Sequence, residues 1–432
     1  MPDTPITLPA HLPYTKEHIV VIGGGISGLM SAWILLDKGY KITILSDHWA
    51  WTKDFHKSRL TSQIAGALWE FPPGGCGPTE MTKPPLGWAQ LKQYEEWALQ
   101  SFEFYELFMK LQERHKAEFG LSMAKLNSFF YKSMPKDAKV TSEDPDEAKL
   151  AQIKAYAESN PPRLSGLQRH HEDIQGFMQG IGVGEHYQGL LKDAYTHDAP
   201  IINTDKAMVF LMELLRNKGA EMETVHLEKL EKQYLEDLGY KPDGVINATG
   251  LGAKDLVADK DVFPVRGAIK RMANSTFDKF HNLNEAYLVP SQVDPANNKD
   301  HVKTVFLVPR SDEILIVGSI IQPYNDQLDL TDDSPEVEIM WKRARDFLPR
   351  LDYAQPIPDY PLAEGLRPFT SKNVKVRAEE RDGLKVVHNY GHGGSGWTLA
   401  VGCARTAVHL LETWLDGKNT KTPDHLNMDM YE

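Results

Sequence analysis

The N-terminal part of the chain alternates between short apolar runs and a glycine-rich turn. Residues 18–22 read HIVVI, residues 23–28 read GGGISG, and residues 29–36 read LMSAWILL, which has helical character. Residues 41–45, KITIL, alternate apolar and polar positions as a half-buried strand does. The pattern predicts a strand, a tight turn, a helix and a second strand in this order.

Further along, the hydrophobic pattern predicts helices first and strands later. Residues 88–158 are charged and helix-rich, whereas residues 262–321 contain several β-like apolar runs. Residues 134–164 carry four prolines among many charges, so a surface excursion is expected there. An amphipathic helix is predicted at 204–218 and a closing helix at 398–415.

Composition and charge exclude several classes of protein. The chain is 41% hydrophobic and 25% charged, and 48 Lys and Arg against 60 Asp and Glu give a net charge of −12. An acidic chain is a poor general binder of nucleic acid or anionic membranes. No apolar run approaches the ~18 residues that a membrane-spanning helix needs. The two cysteines exclude a disulfide scaffold, and no Cys or His spacing indicates a metal site.

The two ends of the chain predict a cytoplasmic location. The first 17 residues lack the apolar core of a secretory signal peptide. The last six residues, NMDMYE, do not form a peroxisomal targeting signal.

Residues 23–28 fit the dinucleotide-binding fingerprint G-x-G-x-x-G. The first glycine allows the tight turn, the second lets a pyrophosphate approach the backbone, and the third packs the helix on the strand. Asp47, 19 residues after Gly28, is the candidate ligand of the adenosine ribose. No arginine stands at this strand end, which disfavours NADP. The predicted phosphate-binding residues are Gly23, Gly25, Ile26, Ser27 and Gly28.

Four separated segments carry a longer pattern. Besides VVIGGGISGL at 20–29, they are LTSQIAGALWEFP at 60–72, VINATG with PVRG within 245–267, and GLRP with VVHNYGHGGSGWT within 365–398. Together these segments resemble the D-amino-acid oxidases and their relatives, a family of FAD-dependent oxidases of amino acids. The HNYGHGG run before the closing helix is the most specific of them.

The resemblance implies an α/β fold with a discontinuous Rossmann-like FAD-binding domain, an antiparallel-sheet substrate domain and a helical insert. The expected FAD-binding pieces are 1–100, 195–262 and 372–432. Residues 101–194 and 263–371 are expected to form the substrate and interface domain. A homodimer is one assembly considered, and the sequence leaves the oligomeric state open.

The resemblance also implies which residues contact FAD. Glycines before a helix let the backbone approach a planar ring and direct N–H groups at an anion. Ser395 and Trp397 differ in size from the residues that the family often has there, which predicts a reshaped side-chain pocket. The residues expected near the phosphates are Arg59, Thr61 and Ser62. Those expected at the rest of FAD are Ala65, Ala67, Leu68, Gly393, Gly394, Ser395, Gly396, Trp397 and Thr398.

Arg367, Tyr287 and Gly394 are the implied catalytic residues. The planar fork of Arg367 suits two-pronged binding of a substrate carboxylate. In the family, a tyrosine that opens a Tyr-Ile-Ile-Pro strand also touches this carboxylate. Two places fit here, because Phe306 opens FLVP without a hydroxyl, and Tyr287 lies in AYLVP, 19 residues earlier. The sequence leaves both open.

The implied reaction is oxidation of the CH–NH2 bond of an amino acid, most simply a D-amino acid. A hydride passes to the flavin, the imino acid hydrolyses to a 2-oxo acid and ammonia, and dioxygen becomes hydrogen peroxide. The alternative is an oxidase or dehydrogenase of an L-amino acid, a glycine derivative or another amine. A non-catalytic flavin-binding protein is a third hypothesis, which the complete fingerprint and Arg367 disfavour.

Overall fold

A computed structural model provides the fold, and every structural statement below concerns the residues that it describes. These are 16–50, 60–72, 89, 91–116, 118–142, 144–275, 282–290, 305–358 and 360–418. Arg59, one of the residues expected near the cofactor phosphates, lies outside them.

Strands and helices alternate early in the chain, and strands dominate its later part. The strands are β1 (His18–Ile22), β2 (Lys41–Ser46), β3 (Leu121–Phe130), β4 (Gln168–Arg169), β5 (Asp193–Ile202), β6 (Glu221–Thr224), β7 (Gly244–Asn247), β8 (Val262–Ala273), β9 (Ala286–Val289), β10 (Val305–Pro309), β11 (Ile314–Gly318), β12 (Gln322–Pro323), β13 (Leu362–Thr370), β14 (Lys375–Arg381) and β15 (Leu384–Tyr390). The α-helices are α1 (Ile26–Asp37), α2 (Thr61–Ile64), α3 (Leu91–His115), α4 (Pro145–Ala157), α5 (Ile174–Ile181), α6 (Glu185–Leu190), α7 (Thr204–Asn217), α8 (Lys232–Asp237), α9 (Ala253–Leu256), α10 (Pro335–Phe347) and α11 (Gly396–Leu415). Short 3-10 helices span Gly250–Gly252 and Pro349–Tyr353.

One sheet has the order β14-β15-β7-β1-β2-β6. The strands from β15 to β6 are parallel to their neighbours, and β14 is an antiparallel edge. α1 connects β1 to its parallel neighbour β2, which is the βαβ unit that the first 45 residues predict. The apolar run of β1 is buried almost throughout, as expected for a parallel strand covered on both faces. The predicted Rossmann-like architecture is confirmed.

The second sheet is largely antiparallel and has nine strands. Its order is β12-β8-β11-β10-β9-β3-β5-β4, and β13 pairs with β8 over residues 362–370. β3 and β9 form its one parallel pair in the described part of the chain. This sheet holds the β-rich 262–321 region that the hydrophobic pattern predicts.

A helical layer joins the two sheets. The closing helix α11 packs against α1 and α3, and the indole Nε1 of Trp97 on α3 donates to Thr406 on α11 at 2.8 Å. Side chains from these helices and from both sheets merge in one large apolar cluster. The nucleotide-type sheet and the antiparallel sheet are therefore held together by a shared core.

The expected surface excursion at 134–164 is wrong for its central part. Pro145 occupies the first turn of α4, where a missing N–H costs nothing, and Asp144 caps the helix by accepting from the Asp146 and Glu147 N–H groups. Ile153 on α4 is fully buried. Pro145 marks the start of this packed helix, and Pro161 and Pro162 follow its end.

The predicted domain boundaries lie differently with respect to the two sheets. All six strands of the parallel sheet lie within 1–100, 195–262 and 372–432, whereas the boundary at 195 falls inside β5 of the other sheet. The division itself stays a prediction. Across the described chain, no helix is both long and apolar enough to cross a membrane.

Candidate active site

The turn after β1 depends on two glycines. Gly23 has φ +118°, and a Cβ there would lie 2.4 Å from the carbonyl oxygen of Ala248. A Cβ on Gly28 would lie 2.0 Å from the carbonyl oxygen of Gly23. Both contacts are impossible for a larger residue, so these glycines are required by the close approach of backbone to backbone.

Gly25 borders open space instead. A Cβ on Gly25 would contact only Ser62 Oγ, at 3.4 Å, and one on Gly396 only Ile26 Cγ2, at 3.9 Å. The Ile26 N–H donates to Ser62 Oγ at 3.0 Å. The turn, the 60–72 segment and the start of α11 therefore adjoin one another around Ile26 and Ser62.

Several polar groups near this turn have no hydrogen-bond partner among the described residues. Within the described residues, the N–H groups of Ser27 and Gly28 at the start of α1 have no acceptor. His392 is buried, its Nδ1 lies 3.4 Å from Ser27 Oγ, and its Nε2 has no partner in the described chain. Burial lowers the pKa of His392 to about 4, so the ring is neutral at pH 7. Free N–H donors at a helix N-terminus beside an open backbone fit the phosphates of FAD.

The end of β2 presents two polar residues. Ser46 Oγ accepts from the Gly24 N–H at 3.0 Å and donates to the His48 carbonyl at 2.8 Å, which fixes the turn. Asp47 is exposed, and its carboxylate lies 3.1 Å from His226 Nδ1. The candidate ribose ligand is therefore at the predicted strand end, with a histidine beside it.

The segment 61–68, called the 61–68 loop below, is anchored through its first two residues. Thr61 Oγ1 donates to the carbonyl of Leu366 at 2.8 Å, next to Arg367. The indole Nε1 of Trp397 donates to the carbonyl of Ser62 at 2.9 Å. The loop thus touches both the strand of the candidate substrate arginine and the glycine-rich segment before α11.

Two further anchors come from distant parts of the chain. Thr204 Oγ1 on α7 donates to the Gln63 carbonyl at 2.5 Å, and Arg310 after β10 donates from Nη2 to the Ala65 carbonyl. Sequence reasoning missed both residues. Their partners lie 141 and 245 residues away, so no local spacing could have indicated them.

One face of the nine-stranded sheet lies against the 61–68 loop. Directly paired residues of antiparallel strands point to the same face, and so do alternate residues of one strand. A Cβ on Gly365 would lie 1.6 Å from Ile64 Cδ1, and one on Gly66 2.6 Å from Phe306 Cε1, so face and loop are in contact. The residues that the register puts on this face include Arg367, Gly365, Gly267, Ile269, Gly318 and Phe306.

Arg367 is the charged residue of this face that has no counter-ion. Its Nη1 donates to the Ile320 carbonyl at 3.0 Å, and its guanidinium lies over Gly267, where a Cβ would approach Nη1 to 2.0 Å. It forms no ion pair within the described residues. Burial lowers its pKa to about 10, which still leaves it charged at pH 7. A half-buried guanidinium without a carboxylate is a site for an anionic ligand.

Tyr287 is not brought together with the other predicted catalytic residues. It pairs with Leu307, whereas Leu288 pairs with Phe306, so Tyr287 and Phe306 point to opposite faces of the sheet. Tyr287 packs in a separate apolar cluster with Phe129 and Phe347, and its hydroxyl lies 3.5 Å from Glu285 Oε2. Of the two candidates, Phe306 is the residue that lies beside the 61–68 loop.

The glycine-rich segment 391–396 returns the chain to the same site. The Gly393 N–H donates to the Pro368 carbonyl at 2.9 Å, which ties the segment to the residue after Arg367. Gly394 is exposed, whereas Ser395, Trp397 and Thr398 are buried at the start of α11. Among the loop residues, Ala65 is half-buried, and Ala67 and Leu68 are buried.

Comparison with known proteins finds similarity over most of the chain. The family model of FAD-dependent oxidoreductases matches residues 18–410. A D-amino-acid oxidase of Streptomyces coelicolor is 28% identical over 91% of this chain and 96% of its own length. One of Rubrobacter xylanophilus is 32% identical over 51% of this chain, and that alignment spans 60% of the relative. The glycine oxidase structure from Geobacillus kaustophilus covers 96% of this chain and is itself covered over 99% of its length, with 16% identity and a TM-score of 0.65, a similarity of fold.

Proposed function

The chain belongs to the family of FAD-dependent oxidoreductases, and from this premise we propose that it oxidises the CH–NH2 bond of an amino acid, with a D-amino acid as the leading substrate. The products are a 2-oxo acid and ammonia, formed by hydrolysis of the imino acid, and hydrogen peroxide from dioxygen. One observation carries the proposal. Arg367 is a half-buried, charged guanidinium without a counter-ion in the described chain, on the sheet face that meets the 61–68 loop.

Each part of the site has a role in this reaction. The turn at 23–28 would hold the phosphates of FAD, and the 61–68 loop with residues 393–398 would hold its ring system. Bound FAD supplies the acceptor for the hydride. Arg367 binds the substrate carboxylate through two N–H groups and so directs the Cα–H, which contributes effective molarity. Ile64 and Phe306 form apolar surroundings that exclude water.

No side-chain base is needed in this scheme. The substrate amine binds in its neutral form, and the bond that breaks is the Cα–H bond. His392 is neutral at pH 7, since burial lowers its pKa to about 4, and it lies at the phosphate-binding turn. Its place supports a role in cofactor binding.

Substitution of Arg367 tests the proposal. Arg367→Ala should retain FAD and lower kcat/KM for the best amino acid by about 10²–10⁴-fold, the value of two charge-assisted hydrogen bonds. Arg367→Lys should recover part of this loss, because an ammonium cannot form the two-pronged contact. Arg345→Ala, which removes a half-exposed partner of Asp352, is the matched control. Unchanged kcat/KM in Arg367→Ala would contradict the assigned role.

A second candidate function has one observation in its favour. Phe306 lies beside the 61–68 loop without the hydroxyl that the resemblance leads one to expect, which suits an L-amino acid, a glycine derivative or another amine. A peroxide assay over D-amino acids, L-amino acids, N-substituted glycines and decarboxylated amines separates the two. Oxidation of simple amines as fast as their parent amino acids would favour the second candidate. The homodimer and the cytoplasmic location stay predictions.

A further inference from the structure

Arg310 connects the substrate-side sheet to the 61–68 loop. It follows the last residue of β10, its side chain is buried with 3% exposure, and its Nη2 donates to the carbonyl oxygen of Ala65. The acceptor is a backbone oxygen in the middle of the loop, so Arg310 positions the peptide group between Ala65 and Gly66.

The N–H at the other end of this peptide group, that of Gly66, has no acceptor among the described residues. Carbonyl and N–H of a trans peptide point in opposite directions, so the Gly66 N–H points away from Arg310. In the described part of the chain no acceptor is bound to the Gly66 N–H. Gly66 has no side chain that could cover its N–H. A larger residue does not fit there, because its Cβ would lie 2.6 Å from the Phe306 ring.

A cation bound to the carbonyl of a peptide strengthens the N–H of the same peptide as a donor. Hydrogen bonds to charged groups are about twice as strong as neutral ones, and successive hydrogen bonds polarise one another in a low-dielectric interior. The guanidinium charge also favours negative charge nearby. Both effects stabilise an electron-rich group beside Gly66 more than an electron-poor one.

We propose that Arg310 is a positioning residue that raises the reduction potential of the FAD bound against the 61–68 loop, by polarising the Ala65–Gly66 peptide. This inference rests on the proposed function only in taking the 61–68 loop as a wall of the cofactor site. Reduced flavin carries more negative charge than oxidised flavin, so a polarised donor and a nearby cation favour reduction.

Three substitutions separate charge from hydrogen bonding. Arg310→Lys keeps the charge and a donor, Arg310→Gln keeps a donor without charge, and Arg310→Met keeps only the apolar stem. The midpoint potential of the purified flavoprotein is measured by chemical reduction against a reference dye, without substrate. We expect potentials that fall in the order wild type, Lys, Gln and Met, with flavin content retained.

Arg271 provides the matched control. It is similarly buried, with 6% exposure, and lies on the same sheet face, two residues from Ile269. It donates to Asp205 on α7 at 2.8 Å and, among the described residues, has no hydrogen bond to the loop. Arg271→Gln should leave the potential unchanged. An equal shift in Arg271→Gln and Arg310→Gln would show a general charge effect and overturn the peptide mechanism.

Kinetics give an independent measurement. Arg310→Gln should lower the rate of flavin reduction by amino acid while leaving KM nearly unchanged, because Arg310 does not share the ligand-binding role of Arg367. If Arg310→Met does not fold, Lys and Gln still decide the question. A Gln variant with the wild-type potential would refute the proposal. The potential requires no substrate, so failure of the amino-acid assay would count against the proposed function alone.

Discussion

Gly365→Ala perturbs the contact between the candidate substrate strand and the 61–68 loop. The new Cβ would lie 1.6 Å from Ile64 Cδ1 and 3.0 Å from Ile64 Cγ1, whereas carbon atoms normally pack about 3.5–4 Å apart. Ile64 must therefore move its terminal methyl group by about 2 Å. Because Ile64 is only 8% exposed, that shift meets the core, and overpacking of this kind costs about 1–3 kcal/mol.

A compensating substitution, Ile64→Val, removes the Cδ1 methyl group that the new Cβ would meet. Ile64→Val alone should cost about 0.5–1.5 kcal/mol, the usual effect of deleting one buried methyl group. In the double variant, Val lacks the Cδ1 atom that the new Cβ would meet. The combined loss in the free energy of unfolding should be smaller than the sum of the two single losses by about 1 kcal/mol or more.

Urea unfolding of all four proteins measures this coupling, with fluorescence as the signal. Fluorescence titration with FAD follows the same variants, and Gly365→Ala should weaken FAD binding because Ile64 belongs to the 61–68 loop. Gly180→Ala is the control, since no atom lies within 4 Å of its Cβ position, within α5. It should raise stability by up to about 1 kcal/mol. Strictly additive losses would refute the contact.

Three further substitutions test separate parts of the account. Gly25→Val should yield apoprotein with an intact far-UV spectrum, because a branched side chain fills the space next to Ser62, and tight FAD binding would contradict this. Tyr287→Phe should leave KM and flavin content unchanged, as its hydroxyl faces Glu285, and a raised KM would return it to the substrate site. Burial lowers the pKa of His197 to about 4, so the unfolded chain binds a proton between pH 6.5 and 4 that the folded chain does not. Acid therefore costs about 2 kcal/mol of stability at pH 5, and His197→Gln should lose correspondingly less stability between pH 7 and pH 5.

Local spacing accounts for what the sequence predicted well. Gly28 is required by its contact with the Gly23 carbonyl, five residues away, and the strand, turn, helix and second strand are contiguous, so the fingerprint could be recognised from residues 18–45. The contact of Gly23 with Ala248, far along the chain, could not be recognised in this way. The family and its FAD cofactor, predicted from four short segments, are confirmed by the family match over 18–410.

The register between β9 and β10 distinguishes Tyr287 from Phe306, which the sequence could not do. Tyr287 and Phe306 both stand in short apolar strands before a proline, and nothing local distinguishes them. The pairing of β9 with β10 sends them to opposite faces, because neighbouring positions of a strand alternate. A shift of one residue in this register would have reversed the assignment.

Long-range anchors could not be predicted. Thr204 and Arg310 bind carbonyls of the 61–68 loop from α7 and from the end of β10, and each looks like an ordinary polar residue in its own segment. The burial of α4 was also missed, although it lies in the predicted helix-rich region, since its charged positions obscure the apolar side of the helix. Its Lys149 is paired with Glu70, which follows the loop.

Anaerobic mixing of the purified flavoprotein with amino acids tests the central claim most directly. The account predicts that oxidised-flavin absorbance disappears with at least one free amino acid, returns on admission of air with formation of hydrogen peroxide, and persists when the decarboxylated analogue replaces that amino acid. It also predicts that Arg367→Ala, with its FAD bound, stays oxidised under the same conditions. Flavin that remains oxidised with every amino acid, or is reduced equally well by the decarboxylated amines, would contradict the account.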